Sequence, residues 1–178
     1  MHDKLKEWSL QLIDYKLPRW ENLPDFDLYS DQVISLIHNY LRIFISDEET
    51  IITGAMINNY VKHHMMPKPS KKKYQKIHLA YLIAITTLKQ ILTIPQINAG
   101  IIYQSEASGL KEAYNIFCEE MERSFKNTAL QIHGRNDEAI HEIEEHRQAL
   151  YFAAMAVTGK LVSNKIIEIN KEERTANE

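Results

Sequence analysis

The sequence predicts an all-α fold. Apolar residues recur every three or four positions along most of the chain, whereas the alternation typical of a half-buried strand never persists beyond a few residues. No internal repeat with a period on the order of 20 to 50 residues is evident, which argues against a solenoid. With 178 residues, 44% of them hydrophobic, the chain can bury the core of one domain or of two small ones.

The N-terminal part is predicted to hold two helices separated by an ordered loop. The first helix spans residues 3–15 and ends before Pro18, and its apolar stripe consists of Leu5, Trp8, Leu12 and Tyr15. The loop carries three aromatic residues that we expect to dock onto neighbouring helices: Trp20, Phe26 and Tyr29. Ser30 or Asp31 is predicted to cap a second helix that continues to about Ile45.

The segment TGAMINNYVKHHMMPKPSKKKY, residues 53–74, has the most unusual composition. Thr53 is a favourable cap for a helix over 53–65, with Met56, Ile57, Tyr60 and Val61 facing inward. Asn58, Asn59 and Lys62 then face outward. Because asparagine is a poor helix former, two of them in mid-helix favour a binding role over plain surface residues. Residues 67–74 are predicted to form a basic loop or tight hairpin, since two prolines exclude a helix.

The remaining chain is predicted to be helical as well. A largely buried helix is expected over 75–92, and Thr93 is predicted to cap a short helix with Pro95 in its first turn. Residues 105–109 are the expected boundary before two further helices, over 110–125 and from Asp137 to about Lys165. The predicted domains are an N-terminal helix and docking loop (1–29), a helix-turn-helix domain (30–105) and a helical C-terminal domain for dimerisation or sensing (106–178).

The net charge of -3 conceals a basic centre between two acidic flanks. Residues 50–105 carry seven lysines and no acidic residue, whereas residues 1–49 carry five basic and ten acidic side chains, and residues 106–178 carry nine and fourteen. A basic segment of this kind favours a surface that faces a polyanion, although a solvated face without a partner gives the same pattern.

The order of the central elements predicts a function. The elements follow one another as in a winged helix-turn-helix protein: a helix, a polar turn, a short helix with exposed amides, a basic loop and a long buried helix. The helix over 53–65 would enter the major groove, where asparagine can bond to adenine, and the loop over 67–74 would reach phosphates. We therefore predict a sequence-specific, double-stranded-DNA-binding transcriptional regulator whose contact residues are Asn58, Asn59, Tyr60, Lys62, His63, Lys68, Lys71, Lys72 and Lys73.

Several of these residues carry a resemblance to a known family. The motifs Ile52-Thr53, Ile57-Asn58-Asn59-Tyr60, Met65-Met66-Pro67 and Tyr74, with Leu79, Leu82, Ile85, Leu88 and Thr93-Ile94-Pro95-Gln96-Ile97, make residues 50–98 similar to the DNA-binding domain of MerR-type transcriptional regulators. The resemblance implies that Tyr60 anchors the recognition helix, that Asn58 and Asn59 replace an Arg-Tyr pair, and that Lys71 to Lys73 populate the wing. His64 stands where that family has glycine, and the wing is shorter.

A second resemblance covers more of the chain. PRWENLPDFDLY, TGAMINNYVKHHMMPKP and KKKY resemble a bacterial family known only as a domain of unknown function, which implies no activity.

Partners follow from the same prediction. A helix-turn-helix reader gains specificity on paired half-sites, so we expect a homodimer. In the C-terminal region, Ile140, Ile143, Arg147, Leu150, Ala154, Val157 and Leu161 recur at heptad-like spacing. This pattern permits a dimer seam, but apolar residues on the other faces equally fit a helix within a bundle. The alternative function is a non-catalytic helical interaction module that docks an acidic partner protein through the same lysines. No effector can be inferred.

Other classes of protein find little support. HEIEEH, residues 141–146, places its histidines five apart and therefore on different faces of a helix. No phosphate-binding loop or nucleophile motif occurs in the sequence. We therefore predict neither catalysis nor a cofactor. The pair His63 and His64 lacks a third metal ligand nearby. Cys118 is expected to be a buried side chain. Without an apolar run long enough for a membrane span or a secretory signal, a cytoplasmic location is predicted.

Overall fold

The computed structural model describes residues 2–45, 50–135 and 142–175 of the chain. Within these residues there are seven α-helices and no strand, which confirms the all-α prediction. The helices are α1 (His2–Ile13), α2 (Ser30–Tyr40), α3 (Gly54–Lys62), α4 (Lys76–Leu88), α5 (Ile94–Ser108), α6 (Leu110–Ile132) and α7 (Glu145–Thr175). Short 3-10 turns lie at Trp20–Asn22 and Arg42–Phe44. None of the helices described is long and apolar enough to cross a membrane.

The chain divides into two compact units. One comprises Leu17–Asn115, and the other combines the residues up to Lys16 with those from Ile116 onward, so the division falls within α6. The sequence predicts three parts, with divisions after residues 29 and 105. That organisation stays a prediction.

In the unit comprising Leu17–Asn115, α4 is the central helix. Nine of its thirteen residues are buried, in agreement with the largely buried helix that the sequence predicts. Helices α2 and α5 both contact α4, and α2 also contacts α3. A helix that is apolar on nearly all sides is stable only when neighbours cover it, so α4 supports the elements around it.

The other unit is held by polar contacts as well as an apolar core. The rings of Tyr15 and Phe125 meet edge to face with centroids 5.6 Å apart. The buried Ser124 hydroxyl donates to Thr158 Oγ1 at 2.8 Å and so joins α6 to α7. Cys118 is buried, as predicted. Ala154 and Val157 are also buried within this unit, which favours the bundle interpretation over a dimer seam through these two residues.

Two predictions about the loop before α2 are wrong. Phe26 and Tyr29 are 66% and 58% exposed, so neither docks onto a helix. The intervening Leu28 is buried instead, and its neighbour Tyr29 points away from the core because adjacent residues of an extended segment point to opposite sides. Trp20 does dock, since its ring lies edge-on to Tyr114 with centroids 6.3 Å apart.

Some helix boundaries also differ from the predictions. Helix α4 ends at Leu88 instead of Leu92, α6 continues to Ile132 instead of Phe125, and α7 continues to Thr175. The expected start of the last helix at Asp137 lies outside the described residues. The extension of α6 follows from Ala129 and Leu130, which are buried and continue its inner face.

Candidate nucleic-acid interface

Helix α3 has one buried and one exposed face. Its start is fixed by Thr53, whose Oγ1 accepts a hydrogen bond from the Met56 backbone N–H at 3.2 Å, as the sequence predicts. Ile57 and Tyr60 face the core, and Tyr60 is only 7% exposed. Burial raises the pKa of the Tyr60 phenol, and the ring anchors the helix without reaching the outer surface.

The other face of α3 carries the predicted contact residues. Asn58, Asn59 and Lys62 are exposed, and so is His63 at the end of the helix. Neither asparagine side chain hydrogen-bonds to another described residue. The amide groups of this face are therefore available to an external partner.

The helix ends in a tight left-handed turn centred on His64. The Met65 N–H donates to the Tyr60 carbonyl at 2.9 Å and the His64 N–H donates to the Val61 carbonyl at 3.1 Å. This is the Schellman arrangement, and His64 takes the left-handed position with φ of 55° that glycine usually occupies. The helix is three residues shorter at this end than the predicted 53–65 because the left-handed residue stops it.

After α3, two buried methionines hold the chain on the core, and a hairpin turn follows. Met65 and Met66 are both buried, in keeping with the ordinary use of methionine as core filler. Ser70 and Lys73 then form an isolated antiparallel bridge, in which the Lys73 N–H donates to the Ser70 carbonyl at 2.8 Å. Residues 70–73 are therefore a two-residue hairpin turn, the tighter of the two forms that the sequence allowed.

The tip of this hairpin has a strained backbone. Lys71 and Lys72 have φ of 48° and 61°, the positive values that define a type I′ turn. Such turns usually contain Asn-Gly, and a left-handed residue with a side chain costs roughly 1–2 kcal/mol. The sequence KK therefore gives no local signal for this turn. Both lysines are exposed at its tip.

The base of the hairpin is fixed to the segment that precedes α2. Leu28 and Tyr74 exchange two backbone hydrogen bonds, each 2.8 Å long. Both side chains are buried, and the Tyr74 ring lies edge-on to His78 with centroids 5.6 Å apart. These contacts hold the hairpin on the core, so its tip is a supported turn.

His78 is a structural residue that sequence reasoning missed. Its Nδ1 accepts a hydrogen bond from the Gln75 backbone N–H at 2.8 Å and thereby caps the start of α4. Burial lowers the pKa of His78, while the neighbouring backbone of Lys68 and Pro67 acts in the opposite direction. The available signal was its place three residues after Gln75, where capping boxes usually have Glu or Gln.

The seven lysines of the basic segment fall into two groups. Three have partners within the Leu17–Asn115 unit: Lys73 with Asp27 at 3.3 Å, Lys76 with Asp25 at 3.6 Å, and Lys89 with the Ile51 carbonyl at 2.7 Å. The other four are exposed and form no ion pair with a described residue: Lys62, Lys68, Lys71 and Lys72. The acidic partners lie far away in sequence, so no local pattern predicts this division.

Within the ranges described, no group of three or more His, Cys, Asp or Glu residues is arranged to hold a metal ion.

These observations define an all-helical domain that presents an amide-bearing helix face and a basic hairpin. The family described as Domain of unknown function (DUF1836) matches residues 18–117, more than half of the chain, and the chain belongs to that family. The matched residues nearly coincide with the compact unit Leu17–Asn115. This confirms the broader resemblance seen in the sequence. No curated protein and no solved structure matches the chain.

Proposed function

We propose that the chain is a sequence-specific, double-stranded-DNA-binding transcriptional regulator of MerR-like winged helix-turn-helix architecture. Helices α2 and α3 would form the helix-turn-helix, and residues 67–74 would form a minimal wing. The observation that carries the proposal is the exposed amide face of α3, followed directly by a hairpin whose two tip lysines are exposed and form no ion pair with a described residue.

The dimensions of α3 fit a recognition helix. It has nine residues, and an α-helix with its side chains is about 10–12 Å in diameter, which matches the width of the major groove of B-DNA, about 12 Å. Asn58 and Asn59 lie on the face opposite the buried Ile57 and Tyr60, so docking in the groove requires no rearrangement of the core. Each asparagine amide can donate to adenine N7 and accept from adenine N6.

The hairpin supplies the second kind of contact. Lysine side chains hold phosphates without reading sequence, and a strained turn that is retained at a protein surface is typical of functional sites. In this chain the turn replaces the strands that a wing normally contains. His64 supports the resemblance to the MerR family, because it adopts the left-handed conformation expected of the glycine that this family has at that position.

A homodimer that binds two half-sites belongs to the proposal, since paired sites multiply specificity. The unit formed by α1, α7 and the latter part of α6 would mediate dimerisation or sensing. The protein would act in the cytoplasm without catalysis or a cofactor.

The decisive experiment is selection of bound fragments from a pool of random duplexes, followed by salt titration on the preferred site. If Lys62, Lys68, Lys71 and Lys72 each neutralise one phosphate, log K should fall against log salt with a slope of about -3.6. Selection of no common sequence would contradict specific recognition. A flat salt response on duplex DNA would favour the alternative, a module that docks an acidic protein partner.

A further inference from the structure

Asp27 lies on the outward face of the pair formed by the hairpin and the segment before α2. Because Leu28 and Tyr74 are opposite each other and buried, their neighbours at 27, 29, 73 and 75 point outward. Asp27 therefore shares a face with the third lysine of the hairpin, Lys73.

One oxygen of the Asp27 carboxylate contacts Lys73 of the hairpin, and the other contacts Gln75, which precedes α4. Oδ2 lies 3.3 Å from Lys73 Nζ, and Oδ1 accepts a hydrogen bond from Gln75 Nε2 at 3.3 Å. The two side chains of the ion pair are 43% and 41% exposed, so the pair is accessible to solvent and to a ligand. Lys71 and Lys72, at the tip, have no such partner among the described residues.

We propose that Asp27 withholds Lys73 from the polyanion, so that the hairpin meets its ligand with two free ammonium groups instead of three. This rests on the proposed function, in which the ligand is duplex DNA. Asp27 is a positioning residue in this role, since it acts through Lys73 and touches no ligand itself.

The ion pair stays closed for an electrostatic reason. An exposed pair is worth at most about 1 kcal/mol by itself, so a phosphate could compete for the lysine. However, transfer of Lys73 to a phosphate would leave the Asp27 carboxylate unpaired on the surface that faces the phosphates. Repulsion between these like charges opposes the transfer. One phosphate contact is thereby removed from sequence-independent binding, which competes with the specific site throughout a genome.

A neighbouring ion pair provides the matched control. Asp25 lies 3.6 Å from Lys76, but the Lys76 side chain is only 19% exposed and belongs to the first residue of α4. At that place the positive end of the helix dipole repels an ammonium group, so Asp25 neutralises a cation of the domain itself. Asp25→Asn removes the same charge as Asp27→Asn, two residues away, without freeing an outward-facing lysine.

The test is a double-mutant cycle on the full chain, with duplex affinity measured over a range of salt concentrations. Asp27→Asn should steepen the slope by about 0.9 and raise the affinity about eightfold at 0.1 M salt, because one phosphate contact is added. Lys73→Gln should leave the slope unchanged, because no phosphate contact is lost, while the unpaired Asp27 carboxylate lowers the affinity, and the double variant should have the slope and the affinity of the wild type. A loss of slope in Lys73→Gln alone, or an equal gain in Asp25→Asn, would overturn the proposal.

Two further measurements separate this inference from the proposed function. Asparagine keeps an acceptor for Gln75, and thermal melts will verify that each variant retains the fold. Salt elution from immobilised heparin gives a second readout that needs no duplex. If the wild type ignores duplexes while Asp27→Asn alone elutes later from heparin, the DNA assignment fails and the role of Asp27 stands. If the wild type binds duplex DNA strongly but the effects of Asp27→Asn and Lys73→Gln on the salt slope are additive, the proposed role of Asp27 fails.

Discussion

Leu28 and Tyr74 are 46 residues apart in the sequence, yet their backbone groups exchange two hydrogen bonds of 2.8 Å. This single pair connects the segment before α2 to the base of the basic hairpin and directs Lys71 and Lys72 to the surface. A two-residue hairpin is only marginally stable by itself, so the turn depends on this connection and on the burial of Tyr74.

The amide face of α3 gives the most direct prediction. Asn58→Ala should lower affinity for the selected duplex by about 1–3 kcal/mol while leaving binding to unrelated duplexes nearly unchanged, because a base contact is lost and phosphate contacts are kept. Asn22→Ala, at an exposed position outside α2 and α3, is the control and should have no effect. Fluorescence anisotropy with both duplexes measures the difference. Equal behaviour of the two variants would contradict base reading by α3.

The hairpin tip allows charge and conformation to be separated. In the variant Lys71→Asn/Lys72→Gly the turn receives the residues that type I′ geometry prefers, so stability should rise by about 1 kcal/mol or more. Binding should nevertheless weaken for all duplexes, and the salt slope should become shallower by about 1.8, because two phosphate contacts are lost. Urea denaturation and salt titration give the two readouts.

The double variant needs a control for its change in net charge. Lys126→Asn/Lys160→Asn removes two exposed charges of α6 and α7 and should leave the slope unchanged. If it flattens the slope as much as the hairpin variant, the lysines act through the overall field.

The left-handed turns at the ends of α3 and α6 give a reciprocal pair of predictions. Gly134 forms the same motif as His64, with φ of 72° and no atom within 4 Å of the place of a Cβ. His64→Gly should stabilise the protein, and Gly134→Ala should destabilise it, each by about 1 kcal/mol. Thermal unfolding measures both shifts. His64→Gly should keep duplex affinity, since His64 supplies the turn and no predicted contact.

His78 predicts a dependence of stability on pH. Because burial lowers the pKa of His78 below the ordinary 6.5, the unfolded chain takes up the proton first as the pH falls. The free energy of unfolding should be highest above pH 6.5 and decline below it, by at most about 1.4 kcal/mol per pH unit from this residue. Protonation at Nδ1 would also remove the acceptor for the Gln75 N–H.

Comparison with His78→Gln isolates this contribution. Glutamine can still cap α4 but does not titrate. The free energy of unfolding of the wild type, minus that of the variant, should therefore be smaller at pH 5.5 than at pH 7.5. Urea denaturation at both values tests this. A constant difference would show that His78 does not titrate on unfolding in this range.

The periodicity of apolar residues determined the helical class, the cap at Thr53 and the exposed faces of Asn58, Asn59 and Lys62. These are local properties, since a face of a helix is set by the spacing of neighbours along the chain. The ends of α4, α6 and α7 were placed less accurately, because helix ends depend on what the last turn contacts.

Only the tertiary structure decided which lysines of the basic segment have a partner among the described residues. Charge alone made Lys71, Lys72 and Lys73 equivalent, but Asp27 approaches one of them through the Leu28–Tyr74 pairing. The same pairing turned Tyr29 outward, against expectation, and the tight hairpin required left-handed lysines that local propensity disfavours. Ion pairs and turn geometry of this kind arise between segments distant in sequence, and their energies exist only after the core has brought the segments together.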